Sequence, residues 1–331
     1  MDTITTFAPA KLNLFLELHR RREDGFHELE TVMLAIDRCD RITVRRRPVG
    51  PVRVTSRWSP SKAVWQAQLG IDDDAILEIP DGPGNLAYQA AECLRTALGI
   101  TAGFDIEIEK NIPAGAGMGG ASSDAASVLR AVAQLGGQPI AARQLQRIAA
   151  ELGSDVPFFL GVCDDEASPE HASAEHASCK LAEQSCAALA TGRGEQLHSV
   201  RCTGDVRFVV AFPPHPLSTG KVYSVCQVPE QPVSPAALLK CLANGDLSAL
   251  PQHLFNRLAT AASQLSPWVD RLLETMRRTG LQGCQLTGSG AACFGIATSA
   301  SHAETCVADL KRAGFGVSFA ASPLPVPTPL Q

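Results

Sequence analysis

An α+β fold in two domains is what the sequence predicts, and three features predict it. Apolar and polar residues alternate in two stretches of the N-terminal half, a glycine run joins the second of these to an amphipathic helix, and from Val206 onward the pattern reads strand, helices, strand, strand, helix, strand. Alternation marks half-buried strands, and the last order resembles a split β-α-β-β-α-β unit with helical elaboration. The chain has 331 residues, 45% of them apolar, which suffices for two cores. A boundary near residue 200 gives domains 1–200 and 201–331.

In chain order, Leu12, Leu14, Leu16 and Leu18 alternate with Lys11, Asn13, Phe15 and Glu17, so Lys11 and Asn13 share one face of a half-buried strand. Residues 57–74 read as a peripheral excursion. Phe104, Ile106 and Ile108 form a second strand that runs through Asn111, Ile112 and Pro113 into the glycines from Gly115 to Gly120. Ala125, Val128, Leu129, Val132 and Leu135 then recur at helical spacing until Gly136 and Gly137 stop the helix. Pro139 opens another helix carrying Leu145, Ile148, Ala149 and Leu152, and Gly153 ends it just before Asp155. Residues 164–180, small, polar and repetitive, read as a surface insertion. The second domain reads as strand Val206 to Phe212, helices through Met276, strands Cys284 to Leu286 and Ala292 to Ile296, helix His302 to Ala313 and strand Phe315 to Ala320. Prolines at 323, 325, 327 and 329 mark a flexible tail from about residue 322.

Composition excludes several classes of function. The net charge is −5 and the basic residues are dispersed apart from His19 to Arg22 and Arg45 to Arg47, which argues against a nucleic-acid partner. Any anionic ligand must therefore be held locally. Eleven cysteines include no C-x-x-C pair, as in a reducing cytoplasm. Lys11, Asn13 and Glu17 interrupt the apolar residues that a secretory signal would need, and no uncharged apolar run approaches the roughly 20 residues that span a bilayer. A soluble, cytoplasmic chain with no membrane partner is expected; the oligomeric state is left open.

The segment Pro113 to Ala126, PAGAGMGGASSDAA, carries the clearest chemical signal. Glycines let backbone N–H groups approach phosphate oxygens, and the following helix adds about half a positive charge at its N-terminus. A dinucleotide fingerprint fits the spacing of Gly115, Gly117 and Gly120, but no acidic residue follows at about 20 positions, and a Walker loop would need a lysine after the glycines. A tight helix start capped by Ser122 or Ser123 remains an alternative. Lys11 and Asn13, about 6.6 Å apart by strand rise, can equally be a solvated face, and Asp155 can be the cap of a short helix with Pro157 in its first turn. A phosphoryl transferase, however, needs a phosphate cradle, a cation near the transferred group and a carboxylate to accept a hydroxyl proton, and all three occur. A second glycine turn, Leu286 to Phe294, is compatible with an ordinary hairpin, yet two such turns in separate domains suggest a site between them.

Three segments, PAKLNLFLEL, PAGAGMGGASSDAA and LTGSGAACF, resemble in order the motifs of the GHMP kinases, the superfamily of galactokinase, homoserine kinase, mevalonate kinase and phosphomevalonate kinase. Arg22 to His27, Leu152 to Phe159 and Gly192 to Glu195 are similar to the branch that acts on 4-diphosphocytidyl-2-C-methyl-D-erythritol in the non-mevalonate isoprenoid pathway. The resemblance implies a GHMP kinase fold, with an N-terminal domain like ribosomal protein S5 domain 2 and a ferredoxin-like C-terminal domain. It implies ATP along Pro113, Ala114, Gly115, Ala116, Gly117, Met118, Gly119, Gly120, Ala121, Ser122 and Ser123, with Mg²⁺ held mostly by phosphates and water and by Ser123 as the one candidate side chain. Lys11 and Asp155 match the catalytic pair, Asn13 a substrate contact and His27 the residue that hydrogen-bonds the cytosine. Phe26 stands where a tyrosine is common, keeping the ring and losing the hydroxyl; Thr219 and Tyr223 are the candidates for the opposite wall. Another GHMP kinase substrate, or a non-catalytic metabolite sensor, are the rival readings; the Gly25-Phe26-His27 turn argues against the first, and Lys11 with Asp155 against the second.

Overall fold

In a computed structural model that describes residues 2–23, 25–72, 77–161 and 186–324, the alternating N-terminal stretch becomes strand β1 (Thr3–Arg21) at the heart of one sheet. It pairs antiparallel with β2 (His27–Arg47), followed by β3 (Val52–Trp58), helix α1 (Lys62–Leu69), helix α2 (Leu86–Leu98) and β4 (Gly103–Lys110). Helices α3 (Gly120–Gly136), α4 (Ala142–Leu152) and α5 (Val156–Leu160) precede a hairpin of β5 (Ala187–Thr191) and β6 (Gln196–Val200). The second half runs β7 (Arg207–Phe212), α6 (Thr219–Val225), α7 (Ala236–Asn244), α8 (Leu250–His253), β8 (Phe255–Asn256), α9 (Ala259–Leu265), α10 (Pro267–Arg278), β9 (Gln282–Leu286), β10 (Cys293–Ala297), α11 (Ala300–Arg312) and β11 (Val317–Ala321).

The first sheet has the order β3-β4-β2-β1-β8, with β5 also paired to β2 and β6 to β5. The second has the order β11-β7-β10-β9, with every pair antiparallel. With helices α10 and α11 as its crossovers, that is the split β-α-β-β-α-β arrangement read from the sequence. Short β8 was not legible as a strand: it leaves the helical run to pair with β1 at Phe15 and Leu16, so the C-terminal half completes the N-terminal sheet. Beside it, buried Glu17 accepts both nitrogens of a fork from Arg257 at 2.7 and 2.6 Å and the Val233 N–H at 2.9 Å, which satisfies a carboxylate that burial alone would penalise.

Three apolar clusters explain the stacking. One face of the first sheet, through Met33, Ile42 and Val44, packs on α2 and α3 through Ala90, Leu94, Val128 and Val132. Its other face, through Leu12, Leu14, Val32 and Leu34, meets Phe208, Val210, Phe212 and Phe294 of the second sheet. The far face of the second sheet carries Leu272, Met276, Cys306 and Leu310 of α10 and α11.

Several expectations are corrected. Strand β1 is not half-buried: from Ala10 to Leu18 it is buried on both faces, because α3 covers one side and the second sheet the other. A bulge between Asn13 and Phe15 also breaks the simple alternation, leaving Leu12, Leu14 and Phe15 in one cluster and Leu16 and Leu18 in another. Residues 57–72 are no peripheral excursion: Trp58 and Trp65 pack with ring centroids 5.1 Å apart, inside the cluster shared by both sheets. Helix α4 begins at Ala142, three residues after Pro139. The tail is tied down at its start, where Asp37 N–H donates to Ser322 O and Leu324 N–H to Ala35 O, both at 3.0 Å. The insertion at 164–180 and the tail beyond Leu324 lie outside the described residues. No described helix is long and apolar enough to cross a membrane. Because Trp65 is 1% exposed, Trp65→Ala is expected to lower stability by about 3–5 kcal/mol, read as a shifted urea midpoint.

Candidate active site

Between β4 and α3 the glycine run folds with every second residue turned outward. Gly115, Gly117 and Gly119 have φ of 65°, 74° and 71°, conformations open to glycine, while Ala116 and Met118 are buried in the core between them. Gly119 is the N-cap of α3, so the alternative of a cap by Ser122 or Ser123 is not realised. All residues from Pro113 to Ser122 line one cavity of about 1000 Å³. Ser123 does not; its hydroxyl is buried with no hydrogen-bond partner among the described residues. The loop is anchored from both sides. Lys11 N–H of β1 donates to Met118 O at 3.0 Å, and the second glycine turn docks backbone to backbone, Ala291 N–H to Gly115 O at 3.3 Å and Ala292 N–H to Ala116 O at 3.2 Å.

That docking leaves no room for side chains. A Cβ on Gly117 would lie 2.2 Å from Thr287 O, and one on Gly288 2.7 Å from Gly117 O. Lys11 is caught in the same contact: its side chain passes 3.3 Å from where Gly119 would carry a Cβ, and its ammonium 3.3 Å from where Gly288 would. Buried Lys11 donates to Asn13 Oδ1 at 2.5 Å and stands 3.5 Å from Asp155 Oδ2. Asn13 is held in turn, donating to Thr31 Oγ1 at 2.8 Å from its amide and to Thr287 Oγ1 at 3.0 Å from its backbone. Asp155 occupies the N-cap position of α5 but makes no side-chain cap bond, so its carboxylate is not consumed by the helix. With its side chain 34% exposed, it faces the cavity that Lys11 and Asn13 also line.

One end of the cavity is aromatic. His27 and Tyr223 approach with ring centroids 5.6 Å apart. Tyr223 lies one helical turn after Thr219 on α6, and Thr219 Oγ1 bonds Ser289 Oγ at 2.8 Å, tying that helix to the second glycine turn. Phe26 is 52% exposed, with the Arg193 guanidinium 5.2 Å from its ring centroid. Burial, and then the charge of Arg21, holds the His27 imidazole below its ordinary pKa. Burial pushes the Tyr223 phenol up, and the Asp155 carboxylate adds to the effect.

At the opposite end, Trp58, Ile79, Pro80 and Leu86 make an apolar slot beside Lys110 and Asp124. Sequence reasoning missed this end. Lys110 closes β4 and bridges Asp40 of β2 and Asp124 of α3, the latter at 2.6 Å, while Asp40 Oδ1 also accepts the Ile112 N–H at 2.8 Å. Burial, reinforced by Asp40, raises the Asp124 carboxyl; burial works against the Lys110 ammonium, but its two carboxylates more than offset it and hold it up. A signal existed: Asp124 shares the helical stripe of Val128 and Leu135, a charged residue on a buried face.

Two stretches match family models described as the GHMP kinases N terminal domain, over residues 85–161, and GHMP kinases C terminal, over residues 238–315. A 4-diphosphocytidyl-2-C-methyl-D-erythritol kinase of Rhodopirellula baltica is 41% identical, covering 93% of this chain and 91% of that one. One of Mycolicibacterium gilvum is 34% identical over 94% of this chain and 87% of its own. A crystal structure of 4-(cytidine 5'-diphospho)-2C-methyl-D-erythritol kinase superposes with a TM-score of 0.69 at 32% identity, covering 96% of this chain and 98% of that one. A homoserine kinase from Cytophaga hutchinsonii shares the fold, with a TM-score of 0.65 at 20% identity over 98% of this chain and 95% of its own.

Gly117→Ala is expected to drive the two glycine turns apart. Its measurable result is loss of nucleotide binding in calorimetry together with a lowered melting temperature.

Proposed function

The chain belongs to the 4-diphosphocytidyl-2-C-methyl-D-erythritol kinase family of the GHMP kinases, and from that membership we propose that it transfers the γ-phosphoryl group of ATP to the 2-hydroxyl of 4-diphosphocytidyl-2-C-methyl-D-erythritol. The products are ADP and the 2-phosphate, an intermediate of non-mevalonate isoprenoid biosynthesis. The observation that carries the reading is the Lys11–Asp155 pair at the glycine loop, in the same cavity as the His27–Tyr223 pair. A nucleoside triphosphate and a base-bearing acceptor can meet there.

In this reading the backbone of Pro113 to Ser122 cradles the phosphates, and the N-terminus of α3 favours their charge. Asp155 accepts the proton of the attacking hydroxyl as the phosphoryl group transfers in line. Lys11 holds that carboxylate in place and offsets charge developing on the transferred oxygens. Its buried ammonium is oriented by Asn13, which costs little reorganisation at the moment of reaction. Asn13 and Ser122 line the cavity with them, and Thr219 stays with Tyr223 on α6 as the candidate opposite wall of the base pocket. Among the described residues no cluster of three or more His, Cys, Asp or Glu could hold a metal ion. Mg²⁺ would come bound to the nucleotide and offset phosphate charge, with Asp155 and Ser122 among the oxygen-bearing side chains lining the cavity that could help hold it; the buried Ser123 does not line that cavity.

His27, held neutral, presents one donor and one acceptor nitrogen, as reading a cytosine edge demands. Phe26 and Tyr223 supply ring faces beside it.

The deciding assay is ADP release with Mg-ATP and the cytidyl-methylerythritol acceptor, against homoserine, mevalonate, galactose and no acceptor. Release specific to the first, with phosphate on its C2 oxygen, is the expected outcome; release with another acceptor moves the substrate, and none despite ATP binding removes the enzyme. Asp155→Asn should lower kcat by about 10²–10⁴ while nucleotide binding persists; near-normal turnover would remove its role as base. His27→Ala should raise the KM for the cytidyl acceptor about 10–100-fold and leave that for ATP nearly unchanged. Because the His27 pKa lies below its ordinary value of about 6.5, acceptor KM should stay flat from pH 8 to 6.5 and rise only on further acidification, as the ring gains its second proton.

A further inference from the structure

We propose that Arg193 binds the diphosphate of the acceptor and thereby sets the enzyme's preference for a nucleoside diphosphate over a nucleoside or monophosphate; the inference rests on the cavity reading given above. Arg193 sits at the tip of the β5–β6 hairpin, a turn built to hold its place. Gly192 and Gly194 both have positive φ, 71° and 111°. Leu29 N–H donates to Gly192 O at 2.8 Å, which fastens the turn to β2, and Glu195 Oε2 accepts the Arg193 backbone N–H at 2.6 Å. The turn is thus fixed from below while the side chain extends into the cavity.

Its neighbours say which part of a ligand it meets. On one side the guanidinium lies over Phe26, next to His27, at the end that accommodates the base. On the other, a Cβ on Gly194 would be 3.6 Å from Ser154 Cβ, so the turn abuts the residue preceding Asp155. Arg193 therefore spans the interval between base pocket and reacting carboxylate. In the acceptor the order of groups is base, ribose, diphosphate and then the polyol bearing the reacting hydroxyl, so the diphosphate falls in that interval.

The charge argument points the same way. A diphosphate diester carries two negative charges, and a guanidinium matches phosphate oxygens as a two-pronged donor. Of the other cations lining the cavity, Lys11 is engaged with Asn13 and Asp155, Lys110 with Asp40 and Asp124 at the apolar end, and Arg21 lies near His27. Arg193 has a looser partner: its Nε stands 3.9 Å from Glu195 Oε1, beyond hydrogen-bond reach, and its side chain is 32% exposed. A ligand phosphate can take up donors that Glu195 does not.

The test measures competition against the cytidyl acceptor by cytidine, CMP and CDP, in the full chain and in Arg193→Ala and Arg193→Lys. The expected result is wild-type affinity rising from cytidine to CDP, with the CDP-to-cytidine ratio falling about 10–100-fold in Arg193→Ala and less in Arg193→Lys. Acceptor KM should rise in parallel while the KM for ATP stays put. An unchanged CDP-to-cytidine ratio in Arg193→Ala overturns the inference and leaves the cavity reading standing. A wild-type protein that binds neither cytidine nor CDP overturns both.

Discussion

The approach of Gly117 to the turn from Thr287 to Gly290 is the constraint on which the rest of the site depends. At Gly117 and Gly288 two stretches of backbone meet where neither residue can carry a Cβ, and the contact ties the loop before α3 to the turn between β9 and β10. Lys11 hangs from the same joint, its backbone bonded to Met118 and its side chain threaded between Gly119 and Gly288. An ammonium buried this deeply is tolerable only when its charge is paired, and Asp155 pairs it while Asn13 accepts one of its hydrogen bonds. The glycines are thus as much part of the charge arrangement as the lysine.

Charge is handled differently on the two sides of the loop. Lys110 is held between Asp40 and Asp124, and those bonds tie the end of β4 to the N-terminal half of α3, the two supports of the glycine loop. Lys11 is closed on one side and open on the other, since Asp155 remains in contact with the cavity. The two ion pairs therefore share one chemistry and differ in the exposure of the carboxylate, 34% for Asp155 against 6% for Asp124. The β8 crossover and the Glu17–Arg257 fork reinforce the joint from behind by returning the C-terminal half to β1.

The elements legible in the sequence were those whose periodicity answers to a single local cause. The glycine loop and α3 followed from composition and apolar spacing, and the second sheet's element order followed from alternation broken by helical runs. The strand β8 was not legible, because two residues carry no periodicity. Nor was the core role of Trp58 and Trp65, because a strand end and a short helix with polar neighbours look peripheral until the elements they pack against are known.

The same division runs through the site. Local sequence, with its resemblance to the GHMP kinases, determined which residues could cradle phosphate and which lysine, aspartate and histidine were candidates, since those are properties of residue type and motif order. It could not decide between Asp155 as a helix cap and Asp155 as a partner of Lys11, because both uses fit the same turn. Only the tertiary structure chose, by bringing β1 to within 3.5 Å of that carboxylate and leaving the cap bond unmade. The buried Asp40–Lys110–Asp124 cluster and the placing of Arg193 over Phe26, on a turn that abuts Ser154, were likewise decided there. Each joins residues far apart in the chain, and the distance between such residues is set by packing rather than by any pattern along the sequence.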